Sequence, residues 1–146
     1  MSKAIKDFAN NLAESACLTP LIRTADANSA SLDLQQHRNG AFLNYIGITG
    51  DTLSGSVYLE LELQESDDDS TWTACANADV KNTVTGTNTG TVAKIDDNAE
   101  DDVLVWAEYT GTKRYIRMVH NFTGTHTNGI ETAVIGFRTN DHELPS

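Results

Sequence analysis

The chain has 146 residues, a length that suits one domain built around one hydrophobic core. Asp and Glu total 21 against 10 Lys and Arg, which gives a formal net charge of −11. Phosphate backbones and anionic lipid repel so acidic a chain, and no apolar run approaches the ~20 residues that cross a bilayer. We therefore expect neither nucleic acid nor a membrane as a partner, and the N-terminal residues lack the apolar stretch of a secretory signal.

The residue types point to a β protein made in a reducing compartment. The chain holds 18 Thr and 12 Asn but only 2 Pro. Thr favours strands because its branched Cβ suits a pleated surface, and Asn favours the turns between strands. The two cysteines, Cys17 and Cys75, are too few for a disulfide framework and are interpreted as buried thiols.

The N-terminal residues predict the one helix, over 3–16. Its apolar residues are spaced by three and four, which places them on one face: Ile5, Phe8, Ala9, Leu12 and Ala16. Pro20 is expected to end the helix, since its ring excludes the helical hydrogen bond. So short a helix needs a surface to dock on. We treat 1–23 as an N-terminal helix or arm that packs on its own domain or on a neighbouring subunit.

From residue 29 onward the pattern is strand after strand. The clearest is 56–64, in which apolar and polar residues alternate, and a polar turn at 65–70 joins it to 71–75 as a β-hairpin. Further strands are predicted at 31–35, 41–48, 91–95, 103–107, 114–119 and 130–137. About eight strands at this spacing predict an all-β fold, an antiparallel β-sandwich of the jelly-roll kind that forms a single domain over 24–146.

No motif for catalysis stands out. The four histidines, His37, His120, His126 and His142, lie in no nucleophile motif, and His120 is expected to be exposed or interfacial because it alternates with Val119 on a strand. The sequence contains no phosphate-binding loop, dinucleotide fingerprint or zinc-ligand spacing. We predict that the protein is not an enzyme, and we assign no catalytic residue, cofactor or metal ligand.

Charge is unevenly distributed along the chain. Between 67 and 102 lie nine acidic residues and two lysines, a local charge of −7. The contiguous acids lack the spacing of a calcium loop and are expected to be solvated, with calcium binding as the open alternative. Lys113, Arg114 and Arg117 are too few to bind nucleic acid and are expected to face solvent. Trp72 and Trp106 lie in alternating strands, where core packing is expected.

Two segments carry a resemblance to a known family. Residues 61–73, LELQESDDDSTWT, resemble the "LQESDDGSTWT" hairpin of small virion proteins of tailed bacteriophages, and residues 111–117, GTKRYIR, resemble their "GTKRYVRV" strand. Residues 123–127 and 133–136 resemble the closing segment, so the likeness covers about 30–138. Asp69 stands where the pattern has Gly. A similar pair of segments also occurs in discoidin-type carbohydrate-binding jelly rolls.

The resemblance implies a capsid decoration, or cement, protein. Such a protein is made in the host cytoplasm and assembles as a homo-oligomer, a trimer rather than a dimer, on the capsid exterior, where it clamps adjacent subunits of the major capsid protein. The N-terminal arm would supply the capsid contacts, through Ile5, Phe8, Leu12, Leu18, Leu21 and Arg23. The alternatives are another virion part (tail, connector or head fibre) and a carbohydrate-binding β-sandwich module.

Overall fold

A computed structural model describes residues 12–35 and 39–139, and for 12–16 it describes the backbone alone. These residues form ten strands: β1 (Leu12–Arg23), β2 (Ala27–Asn28), β3 (Leu32–Asp33), β4 (Gly40–Thr49), β5 (Tyr58–Ser66), β6 (Thr73–Ala74), β7 (Thr91–Ile95), β8 (Val103–Tyr109), β9 (Tyr115–Thr123) and β10 (Ile130–Thr139). Two single-turn 3₁₀ helices lie between strands, at Asn77–Asp79 and Asn98–Glu100. Within the described ranges no helix has the length and apolar character needed to span a bilayer.

The strands form two antiparallel sheets. Sheet A has four strands in the order β1-β10-β4-β8. Sheet B has six, in the order β2-β9-β5-β6, with β3 also paired to β9 and β7 also paired to β5. The chain crosses between the sheets at most of its connections, which is the arrangement of a jelly roll. The predicted all-β sandwich is confirmed.

The core lies between the two sheets, as strand alternation requires. In β5, Leu59, Leu61 and Leu63 are fully buried. From sheet A, Phe42 and Ile46 of β4 enter the same cluster. Burying such side chains stabilises the fold by about 1.5–3 kcal/mol each.

The predicted hairpin at 56–75 is also present. Gln64 pairs with Ala74 and Glu65 with Thr73 in the β5–β6 ladder. In the turn, the Asp68 carboxylate accepts hydrogen bonds from the backbone N–H groups of Ser70 and Thr71, at 3.0 and 2.7 Å, and these bonds lower the pKa of Asp68 to about 2. Asp69 has φ 58°, the left-handed region that Gly favours, so the turn keeps the glycine-like backbone without the glycine.

The helix predicted over 3–16 is wrong at residues 12–16, which begin strand β1. This strand is hydrogen-bonded to β10 from Leu12 to Arg23, so those residues belong to sheet A. Pro20 lies where the register shifts between Leu18 and Leu21, in an edge strand that tolerates a missing N–H. Backbone hydrogen bonds to sheet A therefore decide the conformation of this segment, and the helical spacing of its few apolar residues does not. Residues 3–11 of the predicted helix lie outside the described residues.

Candidate interaction surface

The outer face of sheet A is apolar and open. In β8 the side chains of Val105 and Ala107 point to the core, so those of Leu104 and Trp106 point outward and are 63% and 52% exposed. Ile135 of β10 is 42% exposed on the same face. Core packing was therefore the wrong expectation for Trp106. Alternation within β8 gave no sign of which of its two apolar faces would be covered.

These side chains form one contiguous group across three strands. Leu43 of β4 lies opposite Trp106 on one side and Ile135 on the other. The rings of Trp106 and Phe137 lie 5.6 Å apart between centroids, beside an open groove of about 620 Å³. We call this group the central patch, and it consists of Leu43, Leu104, Trp106, Ile135 and Phe137.

Three further apolar residues of sheet A are exposed, two on the edge strand β1 and one on β4. Leu21, Ile22 and Ile48 are each more than half exposed, and Ile22 lies opposite Glu131 of β10. We call these three residues the edge patch. With it, sheet A carries six of the seven large hydrophobic side chains that are exposed among the described residues; the seventh is Val84, in a loop. Apolar surface concentrated in this way marks a contact site for another molecule.

The predicted arm residues occupy different environments. Leu12 begins β1, Leu18 is half-buried against the core, and Leu21 is exposed in the edge patch. Ile5 and Phe8 lie outside the described residues. The structure therefore places one of these six residues, Leu21, at an exposed position with a described side chain.

Arg23 stabilises the part of β1 where the register shifts. Its guanidinium donates to the carbonyl and hydroxyl oxygens of Thr132, at 2.7 and 2.9 Å, and to the carbonyl oxygens of Thr19 and Leu21. Partial burial lowers the pKa of Arg23. With its donors engaged inside the chain, Arg23 stabilises the register shift in β1.

The outer face of sheet B is polar and covered. Glu60 and Glu62 point away from the core in β5, yet they are 4% and 1% exposed. The loop at 83–90 lies over them: the backbone N–H of Thr87 donates to both carboxylate oxygens of Glu60 at 3.2 Å, and the side-chain amide of Asn88 donates to Glu62 at 2.8 Å. The loop thus closes a face that alternation alone would leave in water.

A chain of polar contacts continues across sheet B. The Glu62 carboxylate also accepts from the side-chain amides of Gln64 and Asn121, at 3.0 and 2.7 Å. The Gln64 oxygen accepts twice from Arg117, whose guanidinium lies 4.5 Å from the ring centroid of half-buried Trp72. Sequence reasoning did not predict this network. The one feature of the sequence that indicated it is the alternation in β5, which places Glu60, Glu62 and Gln64 on one face of the strand.

The remaining basic residues near the turn also pair within the chain. Lys113 contacts the Asp67 carboxylate at 2.6 Å, and Arg114 donates twice to Asp33, which lowers the pKa of Asp33 to about 2. These exposed pairs contribute little stability individually.

The carboxylates of the acidic loops bind backbone groups. Asp97 caps the helix at Asn98–Glu100 by accepting from the N–H of Ala99, and Glu100 accepts from the N–H groups of Asp96 and Asp97. Within 12–35 and 39–139 no three His, Cys, Asp or Glu side chains converge as a metal site requires. Calcium binding by these loops stays an untested alternative.

His120 is fully buried, so the expectation of an exposed or interfacial side chain is wrong. Its Nε2 lies 2.9 Å from the side-chain oxygen of Asn44, while its Nδ1 is buried without a hydrogen-bond partner among the described residues. Burial, with a contribution from the nearby Arg23 charge, lowers the pKa of His120 to about 3. The β9 alternation placed this side chain with Ile116 and Met118, on the core side.

His126 anchors a loop to Asp51. The Asp51 carboxylate accepts from the backbone N–H groups of Thr127, Asn128 and Gly129 and lies 3.1 Å from Nδ1 of His126. The second ring nitrogen lies 2.9 Å from the carbonyl oxygen of Thr123. The arrangement holds the β9–β10 connection against the loop that follows β4. His37 and His142 lie outside the described residues.

Both cysteine thiols are buried, Cys17 in β1 and Cys75 beside β6 of the other sheet. Burial raises the pKa of the Cys75 thiol, which keeps it protonated and unreactive.

Neither the models of known protein families nor the curated protein sequences give a match to this chain.

Proposed function

We propose that the protein is a non-enzymatic structural component of a bacteriophage virion, a capsid decoration protein that binds the outer surface of the shell and associates with further copies of itself. The observation that carries the proposal is the concentration of exposed apolar side chains on sheet A, which is the surface of a protein-binding module. The resemblance of residues 61–73 and 111–117 to small virion proteins supplies the identity of the partner, the major capsid protein.

The proposed mechanism is thermodynamic linkage. A ligand that binds the assembled shell and not its dissociated subunits stabilises the shell by mass action. Each contact contributes modestly, and many copies on one closed lattice act together. A sandwich with a continuous core suits this role, because it keeps its binding surface in a fixed shape.

Leu21 and Ile22 of the edge patch are the part of the predicted arm best placed to contact capsid subunits. Both are exposed on the edge strand β1. Acidic residues at 67–69 and 96–102 would face solvent or meet basic patches of the shell. Residues 1–11 stay a candidate extension of this contact.

Cryo-electron microscopy of particles from the phage that encodes this chain tests the proposal. We expect density for the sandwich at repeated positions on the shell lattice. Density confined to a tail vertex would refute decoration and favour the alternative of a tail or connector component.

A binding assay tests the edge patch. Purified shells are incubated with the wild-type chain, with a Leu21→Ser/Ile22→Ser double variant and with Val84→Ser as a matched control, since Val84 is exposed away from sheet A. The double variant should lose binding at least tenfold while the control binds normally. Equal binding by all three would exclude the edge patch. Deleting 1–23 is unsuitable because it removes β1, whereas deleting 1–11 leaves β1 in place.

The exposed indole of Trp106 beside an open groove keeps a carbohydrate-binding function as the second candidate. Glycan-array binding that is lost in Trp106→Ala, with the fold intact by circular dichroism, would establish it in place of decoration.

A further inference from the structure

We infer that the central patch is the surface through which two copies of this chain pack face to face, sheet A against sheet A. The inference rests on the homo-oligomer that the proposed function includes, and it specifies an interface with two-fold symmetry in place of the trimer that the resemblance implies. A surface that meets its own copy gives an isologous contact, so the complex is a dimer.

The patch is large enough to form the centre of a dimer interface. At roughly 150–250 Å² for a large side chain, the exposed fractions of Leu104, Trp106 and Ile135 amount to roughly 250–400 Å². A stable interface buries about 800 Å² on each partner, and about 56–65% of that area is apolar. These three side chains supply roughly half or more of the apolar area of such an interface, and the half-buried Leu43 and Phe137 add to it.

The distribution of charge favours this face over the rest of the surface. The chain carries −11, so two copies that approach through their acidic loops repel each other. Beside the central patch, Glu108 is paired with Lys81 at 3.1 Å, which leaves that border locally neutral. Face-to-face packing of sheet A lets two acidic chains meet through uncharged side chains.

The chemistry of the patch points to a second copy in preference to a transient partner. The large side chains of the central patch are all apolar, and they include exposed Trp106 and half-buried Phe137, whose rings lie 5.6 Å apart between centroids in a tilted arrangement. Homodimer interfaces are more apolar than interfaces that form and dissociate, and aromatic residues are enriched at their centres.

The mass of the full chain in solution tests the inference. Light scattering after size exclusion should give twice the monomer mass of 15.8 kDa for the wild type. Ile135→Glu and Leu104→Glu each place a charge in the patch at an exposed position, so the fold is kept and the dimer should dissociate at least tenfold more readily. Val84→Glu is the matched control and should stay dimeric.

Trp106 reports on the same interface. In a Trp72→Phe background it is the remaining tryptophan, so its emission maximum should shift to longer wavelength as the wild-type dimer is diluted. The Ile135→Glu variant should show the long-wavelength maximum at every concentration. Added salt should strengthen the wild-type dimer, because it screens the repulsion between two acidic chains.

The other outcomes overturn the inference. A monomer with Trp106 exposed leaves the face open for a different partner. A monomer with Trp106 shielded means that the chain's own termini cover the face. A trimer, or a dimer unaffected by both Glu variants, places the self-contact elsewhere.

Shell binding is measured separately on the same variants. A dimer that does not bind shells refutes the proposed function alone, and a monomer that binds them refutes the present inference alone.

Discussion

The outer faces of the two sheets differ in what covers them. Sheet A leaves Leu104 and Trp106 open, whereas sheet B buries Glu60 and Glu62 beneath its own loop. If side-chain polarity alone decided which residues are buried, the reverse would be found: the two carboxylates would be exposed to water and the Trp106 indole would be covered. The difference shows that a loop of the described chain covers sheet B, whereas no segment within 12–35 and 39–139 covers the central patch of sheet A.

The comparison predicts that the same substitution, Glu to Ala, costs much more stability on sheet B than on sheet A. Glu62→Ala leaves three amide donors without their acceptor, and we expect a loss of about 2–3 kcal/mol in the free energy of unfolding. Glu108→Ala removes one exposed ion pair on sheet A and should cost about 0–0.5 kcal/mol. Urea denaturation of both variants gives the two values. Equal losses would mean that the sheet B network contributes nothing beyond a surface charge.

The interior between the two faces responds to pH through His120. Its pKa is about 3 in the folded protein and about 6.5 in an unfolded chain, so the folded state binds fewer protons. The stabilisation is therefore complete above pH ~6.5 and is lost as the pH falls toward 3, at up to about 1.4 kcal/mol per pH unit. Denaturation curves between pH 7 and ~5 measure the slope. His120→Gln should flatten it, and an unchanged slope in that variant would assign the acid sensitivity to other groups.

The loop at 83–90 should unfold locally at a lower free-energy cost than the strands of sheet B that it covers. Asn88→Ala removes one hydrogen bond to Glu62, at an expected cost of about 1 kcal/mol. Hydrogen exchange of the amides at 83–90 should accelerate, with the amides of β5 and β9 unchanged. Asn128→Ala, which removes a side-chain bond in a different loop, is the control. Acceleration spread over the whole of sheet B would show that the loop and the sheet unfold as one unit.

The smallest effect is expected on the open face. Leu104→Ser replaces a side chain that is 63% exposed, and we expect a change within about 0.5 kcal/mol in the stability of the monomer. Thermal unfolding at low protein concentration measures it. A loss comparable to that of a core leucine would indicate that Leu104 is already covered within one chain.

Strand periodicity predicted most of the fold. Alternation in β5 gave both its bounds, within two residues, and its core side, because a period of two is a local property of the chain. The hairpin turn was predicted for the same reason, since the Asp68 carboxylate accepts from backbone N–H groups close to it in sequence.

The predictions that were wrong concern partners distant in sequence. Residues 12–16 carry apolar residues at helical spacing. They nevertheless form a strand, because they make backbone hydrogen bonds to β10, which lies more than 100 residues away in sequence. His120 was assigned to the surface, and it lies in the core because β9 is covered on the side that faces sheet A.

The sequence by itself determined a small, acidic, all-β sandwich, the positions of most of its main strands and, for β5, the side that enters the core. Those features follow from periodicity and local turn chemistry. The tertiary structure alone decided which outward faces are covered: the loop at 83–90 buries two carboxylates on sheet B, while no described segment reaches the central patch of sheet A. The physical reason is that alternation fixes the direction of a side chain, and only the folded chain fixes what that side chain meets.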